Sequence, residues 1–187
     1  IAVDANSNVY ITGYFNGPTI TFGNITLTGQ ANNLNYFIAK YDSIGNVLWA
    51  QGASGTGSIG SGIIADANGN IYVSGNFTNA TYFGGIPVTG SSYGIFLVKY
   101  DSFGNVLWVK NAGYPSLWGN SMNIDSNGNL YIVGAYVSAP VIGNDTLPND
   151  TTDGSWDMFV AKYNASGDAV WARHAGSSDL DCGNGVS

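Results

Sequence analysis

Two short segments each occur three times in this chain, in strict alternation, and that duplication restricts the fold to an array of like units. The first reads IAVDANSNVYITGYF from Ile1, IIADANGNIYVSGNF from Ile63 and MNIDSNGNLYIVGAY from Met122. The second reads YFIAKYDSIGNVLWAQ from Tyr36, IFLVKYDSFGNVLWVK from Ile95 and MFVAKYNASGDAVWAR from Met158. Asp4, Asp66 and Asp125 recur at intervals of 62 and 59 residues, and Trp49, Trp108 and Trp171 at 59 and 63. The repeats therefore run 1–62, 63–121 and 122–187, each about 60 residues long.

Each segment reads as a β-hairpin. In the first, a short apolar strand ends at the aspartate and a polar turn follows (Asn68-Gly69-Asn70 in the second copy). Asn-Gly tolerates the positive φ that tight hairpins need. The next strand alternates apolar and small or polar residues, as in Val9-Tyr10-Ile11-Thr12-Gly13. The second segment opens on a nearly continuous apolar strand, Phe37 to Tyr41, turns at Asp42-Ser43-Ile44-Gly45-Asn46 and closes on a strand holding Trp49. Strands apolar on both faces are buried on both faces. Each repeat thus supplies four antiparallel strands. A long link joins the second to the third, and its Phe22-Gly23, Phe83-Gly84 and Ile142-Gly143 steps mark an extra small hairpin. Four-stranded antiparallel repeats that cover one another are the blades of a β-propeller. Three blades fall short of the four to eight that usually close a ring. The chain begins within a first strand and ends just before another is due. The expectation is part of a larger propeller, or a ring closed by a second copy. The structural alternative, an open β-solenoid, has units of about 20–30 residues.

Composition agrees. Charged residues make up 9%, all 12 acidic residues are aspartate, and glycine numbers 27; β-branched and aromatic residues favour strands where glutamate and lysine favour helices. A net charge of −7 with five Lys and Arg leaves no basic footprint for nucleic acid or an anionic membrane. No apolar run reaches the ~20 residues needed to span a bilayer. Cys182 is the only cysteine, so no disulfide forms within the chain.

The Asp-x-x-Gly-Asn-x-Tyr-x-x-Gly-x-Phe element at Asp66 to Phe77 and the Phe-x-x-Lys-Tyr-Asp-x-x-Gly-Asn-x-x-Trp element at Phe96 to Trp108 resemble the bacterial β-propeller repeat family called SBBP. The third copy departs from the pattern at Tyr136, Asn164 and Asp168, keeping an aromatic or a turn former each time. The resemblance implies a secreted or cell-surface multi-repeat protein of the kind found in Bacteroidota, with export by type IX secretion and a role in adhesion or protein binding. Six Asn-x-Ser/Thr sequons (Asn24, Asn76, Asn79, Asn144, Asn149, Asn164) and Asp-Ser/Thr-apolar triplets such as Asp42-Ser43-Ile44 and Asp145-Thr146-Leu147, which resemble a Bacteroidota O-glycosylation signal, fit an exported protein.

Candidate sites divide into repeating and non-repeating residues. Asp66, Asn68 and Asn70, with their counterparts after Asp4 and Asp125, resemble the opening of a calcium loop. The glutamate such a loop needs at its twelfth position is missing, and an Asx-stabilised turn uses the same residues. Lys40, Lys99 and Lys162 lie inside apolar strands, where a charge needs a partner; the expectation is one ion pair per repeat, with the first-strand aspartate, against a ring of cations lining a channel. Trp49, Trp108 and Trp171 are expected to pack between repeats. Trp118 and Trp156 do not repeat and fall in loop-like contexts, so they are the candidates for binding, by sugar stacking, or simply for packing. Catalysis finds little: His174 is alone with no nucleophile elbow, a zinc site lacks ligands, sialidase-type Asp boxes are absent, and Asp145, Asp150, Asp153 and Asp157 cluster only in a polar link. The expected function is a non-enzymatic structural and interaction module without a cofactor. Its partners would be further repeats, a second copy, a glycan or another surface protein. A lectin-like domain and a scaffold for a separate catalytic domain are the alternatives.

Overall fold

The computed structural model describes residues 1–90, 93–148 and 154–187, and among them there are strands and turns but no helix. Repeat 1 comprises β1 (Ala2–Val3), β2 (Val9–Phe15), β3 (Thr19–Phe22), β4 (Ile25–Thr28), β5 (Asn35–Tyr41) and β6 (Val47–Gly52). Repeat 2 comprises β7 (Ser54–Gly55), β8 (Ser58–Ala65), β9 (Ile71–Phe77), β10 (Thr81–Phe83), β11 (Ile86–Val88), β12 (Gly94–Tyr100) and β13 (Val106–Gly113). Repeat 3 comprises β14 (Leu117–Ile124), β15 (Leu130–Tyr136), β16 (Val141–Ile142), β17 (Asp145–Thr146), β18 (Asp157–Tyr163) and β19 (Ala169–Ala175). Each repeat forms one four-stranded antiparallel sheet in sequence order, β1-β2-β5-β6, β8-β9-β12-β13 and β14-β15-β18-β19. The opening strands β8 and β14 start ahead of residues 63 and 122, because the shared motif covers only the second half of the strand.

Each long link folds into the expected small hairpin, β3–β4, β10–β11 and β16–β17. The tips Gly23, Gly84 and Gly143 lie against Val47, Val106 and Ala169, the first residues of the fourth strands. All six tight turns of the main sheets gather at one end of the array, and the links at the other.

Stacking of the sheets makes the core. Tyr36 and Ile38 of β5 face the second repeat and join a buried cluster with Phe96, Val98 and Tyr100 of β12. Ile95 and Leu97, on the opposite face of β12, join a second cluster with Phe159, Ala161 and Tyr163 of β18. β9 is buried at every residue, while β18, in an end repeat, alternates buried and half-buried. Sandwiching on both sides is the physical reason β12, the third strand of the middle repeat, reads as a continuous apolar run. Polar bonds tie the layers as well: Tyr36 Oη lies 3.2 Å from Tyr100 Oη, and Tyr163 Oη donates to the Ala112 carbonyl at 2.7 Å.

Candidate functional site

The turn end is built from one local device. Asp66 Oδ1 accepts the backbone N–H groups of Asn68 and Asn70, each at 2.9 Å. Its Oδ2 accepts Asn70 Nδ2 at 2.7 Å and Tyr72 Oη at 3.2 Å. Asp4 and Asp125 repeat these four contacts. The fourth turn residue takes a left-handed φ, 61° at Ser7, 79° at Gly69 and 80° at Gly128, which explains glycine in two copies of three. With both oxygens of each carboxylate committed to N–H and O–H donors, and Asn70 presenting its amide nitrogen, the geometry is that of an Asx turn. No group of three or more metal-ligating side chains occurs among the described residues. The third copy swaps its second turn to Asn164 and Asp168. Asn164 Oδ1 still accepts the N–H of Ser166 and Asp168, and the freed Asp168 carboxylate pairs with Lys110 of the neighbouring repeat at 2.8 Å.

The repeating lysines correct an expectation. They do not pair with the first-strand aspartates. Lys40, Lys99 and Lys162 instead hold their ammonium groups over the rings of Tyr10, Tyr72 and Tyr131, at 5.1, 4.8 and 5.3 Å from the centroids. Tyrosine, lysine and tryptophan are cross-strand partners in every repeat (Tyr10↔Lys40↔Trp49, Tyr72↔Lys99↔Trp108, Tyr131↔Lys162↔Trp171). The tryptophan meets the same tyrosine edge-on, at 6.1, 6.0 and 6.4 Å. A cation over an aromatic face is stabilised without a carboxylate. In the first repeat Lys40 Nζ and Trp49 Nε1 both donate to the Ser102 carbonyl of the second, at 3.0 and 3.2 Å, so this row also joins repeats.

These carboxylates make stability depend on acid. Side-chain bonds from Asn46, Asn129 and Lys110 hold Asp42, Asp125 and Asp168 below the usual carboxylate range. Burial works to raise Asp4 and Asp101, and the bonds from Asn8 and Asn105 outweigh it, so both are also lowered. A carboxylate with a depressed folded-state value stabilises the fold above its unfolded value of about 3.9 and loses that contribution as pH falls. The melting temperature is therefore expected to hold level from about pH 8 to about pH 5 and to fall below about pH 4. A thermal scan unchanged down to about pH 2.5 would refute the role given to the turns.

Other titratable groups take structural places. Asp145 Oδ2 accepts the Ala172 N–H at 2.7 Å and lies 3.6 Å from Arg173. Asp157 is buried at the head of β18, and His174 lies opposite Phe159. Asp150 and Asp153, like the sequon at Asn149, fall outside the described residues. Asn76 is not an accessible acceptor for a glycan: it is 3% exposed and donates to the Leu117 carbonyl at 2.9 Å.

The non-repeating aromatics come together at the link end. Trp118 and Trp156 meet edge to face with centroids 5.6 Å apart and planes at 69°. Tyr93 stacks on Trp118 at 5.0 Å and 24°. The two indoles, with Asn120, Ala135, Leu180 and Cys182, line a cleft of about 310 Å³. Sequence reading missed Tyr93, although the signal was there. It immediately precedes a third strand, as do Leu34 and Trp156.

No family model matches the chain, so the likeness to SBBP repeats rests on the motifs alone. The chain is 34% identical over 188 residues to an uncharacterized WD repeat-containing protein of Acanthamoeba polyphaga mimivirus, covering 87% of this chain and 13% of that protein. It is 28% identical over 143 residues to the regulatory protein FlaEY of Caulobacter vibrioides, covering 73% of this chain and 15% of that one. It is a repeat β-protein. The stacked four-stranded sheets and the likeness to a WD repeat-containing protein agree on a propeller-like array. A solved structure of a Bacteroides caccae protein of unknown function aligns over 76% of this chain and 77% of its own at 12% identity, with a TM-score of 0.26, too low to bear on the fold.

Proposed function

We propose that this array is a non-catalytic interaction module of a secreted or cell-surface protein, a stack of propeller blades that holds an aromatic cleft toward a partner. The observation that carries the reading is a division of labour. The repeating polar residues are engaged in turns and inter-repeat contacts, while Tyr93, Trp118 and Trp156 converge at one rim. Conformationally stiff aromatics on a rigid scaffold are the usual makings of a binding site. The ring is completed by further repeats or by a second copy. Supporting this, the outer flank of the third repeat carries the same Tyr131–Lys162–Trp171 row that the first repeat uses to bind the second.

The test is a turnover assay of the purified chain against chromogenic glycosides, esters, phosphates and peptides between about pH 5 and 8, the range in which side-chain acids and bases commonly operate. No hydrolysis above buffer is expected. Turnover that disappears on His174→Ala or Asp145→Asn would sink the non-catalytic reading. Sedimentation of the same sample tests closure by a second copy, which a monomer at all concentrations rules out. The chain spans 13% and 15% of the two curated relatives, which favours a second reading, an array serving as scaffold within a larger protein.

A further inference from the structure

The cleft beside Trp156 exists because a small side chain stands where a neighbouring repeat supplies a ring. At the link end the chain bonds back to the residue before each third strand: Ser58 N–H to the Leu34 carbonyl, Ser116 N–H to that of Tyr93, and Asp181 N–H to that of Trp156, at 3.3, 2.6 and 2.7 Å. Ile59-Gly60, Trp118-Gly119 and Cys182-Gly183 follow. A Cβ added to Gly60 would meet Thr12 and one added to Gly183 would meet Val133, residues of one repeat position, so Cys182 is the counterpart of Trp118. Trp118 stacks on Tyr93 at 5.0 Å. Cys182 brings only a thiol, and the space between Trp156, Trp118 and Leu180 stays open as the cleft. The molecule thus holds one occupied ring-stacking slot and, one repeat on, an open one.

We propose that this second slot binds the ring of a neutral saccharide. The assignment rests on the interaction-module reading and names its ligand class. Three features select the ligand. The lining, Trp118, Asn120, Ala135, Trp156, Leu180 and Cys182, contains no charged side chain. An ionic ligand would lose hydration there without gaining a counter-charge, and the chain's net −7 disfavours an anion further. The slot is also open to water: Leu180 is 71% exposed, and Trp118 and Trp156 are only half-buried. A partner's aromatic side chain gives most where it is fully desolvated. A pyranose has an apolar C–H face for the indole and a hydroxylated edge that stays wet, so it suits a half-open slot. Finally, Asn120 Nδ2 is held by the Gly183 carbonyl at 3.0 Å and Cys182 Sγ at 2.9 Å, which leaves its Oδ1 as an acceptor for a hydroxyl.

An immobilised array of neutral mono- and oligosaccharides, set beside amino-sugar, uronic-acid and sulfated counterparts, tests the proposal on the whole chain. Neutral saccharides are expected to bind, and the best of them is then titrated into variants. Trp156→Ala should weaken it by about tenfold or more, and Trp156→Tyr, which keeps a ring, by no more than about threefold. Leu180→Asp, on the exposed wall, should weaken it about as much as Trp156→Ala and gives a reading even where Trp156→Ala fails to fold. Binding confined to charged sugars, no binding to any neutral sugar, or wild-type affinity in Leu180→Asp overturns the assignment. Such a failure concerns the ligand alone, because the module reading stands or falls on the turnover assay.

Discussion

Phe96→Ala is expected to cost about 3–5 kcal/mol, enough to consume much of the ~5–15 kcal/mol that keeps a domain folded. The ring is fully buried, 4.7 Å from Phe83 and 5.6 Å from Tyr36. Tyr36 belongs to the first repeat and Phe96 to the second, so the cavity opens between repeats. No single repeat can bury its sheet alone, and in such arrays stability is the sum of each unit and its interfaces. The loss should therefore appear as early melting of the first repeat away from the other two, not as a uniform shift. Urea titration followed by tryptophan fluorescence would show it, since Trp49 lies at that interface. Val170→Ala supplies the control. Its side chain is apolar but 54% exposed, and it should stay within about 0.5 kcal/mol of wild type. Equal costs for the two substitutions would mean that the repeats do not depend on stacking.

What the sequence showed plainly was whatever local chemistry decides. Asp, Asn and Gly at fixed offsets specify the turns, because an aspartate accepting the N–H groups two and four residues on leaves the chain little choice but to reverse. The continuous apolar run of the third strand marked it as sandwiched, and the Phe-Gly step marked the extra hairpin. Two things depended on geometry between strands and were not readable. An ion pair was expected for Lys40, because a buried ammonium needs compensation; the Tyr10 ring and the Ser102 carbonyl provide it, and only the cross-strand register places them. Trp118 and Trp156 were singled out as candidates separately, each in a loop-like stretch, but Trp118 lies in β14, opposite Ala135, because the first strand extends ahead of the repeated motif. Their meeting, and the part played by Tyr93, follow from the backbone bonds that align the rim of one repeat with the start of the next.

The same register gives the second large expected effect, at two equivalent glycines. Gly75 and Gly134 share one repeat position, in the middle of the second strand. A Cβ built on Gly75 would collide with the Ile59 carbonyl of β8, and one on Gly134 with the Trp118 carbonyl of β14. Each clash is with backbone, next to a register shift that separates Gly60 from Gly62 and Gly119 from Ser121. Such bulges bring one strand close against its partner, and no rotamer change relieves the contact. Gly17 is the contrast: its added methyl would meet only the Thr19 backbone, no nearer than an ordinary 3.6 Å. Gly75→Ala and Gly134→Ala are thus expected to lose about 3 kcal/mol each, the upper part of the range for overpacking, and Gly17→Ala to stay within about 0.5 kcal/mol of wild type. The check is the midpoint of urea unfolding for the three single variants. Losses at Gly75 and Gly134 no larger than at Gly17 would contradict the bulged pairing of β8 with β9 and of β14 with β15, because a glycine without a close backbone neighbour has room for the methyl.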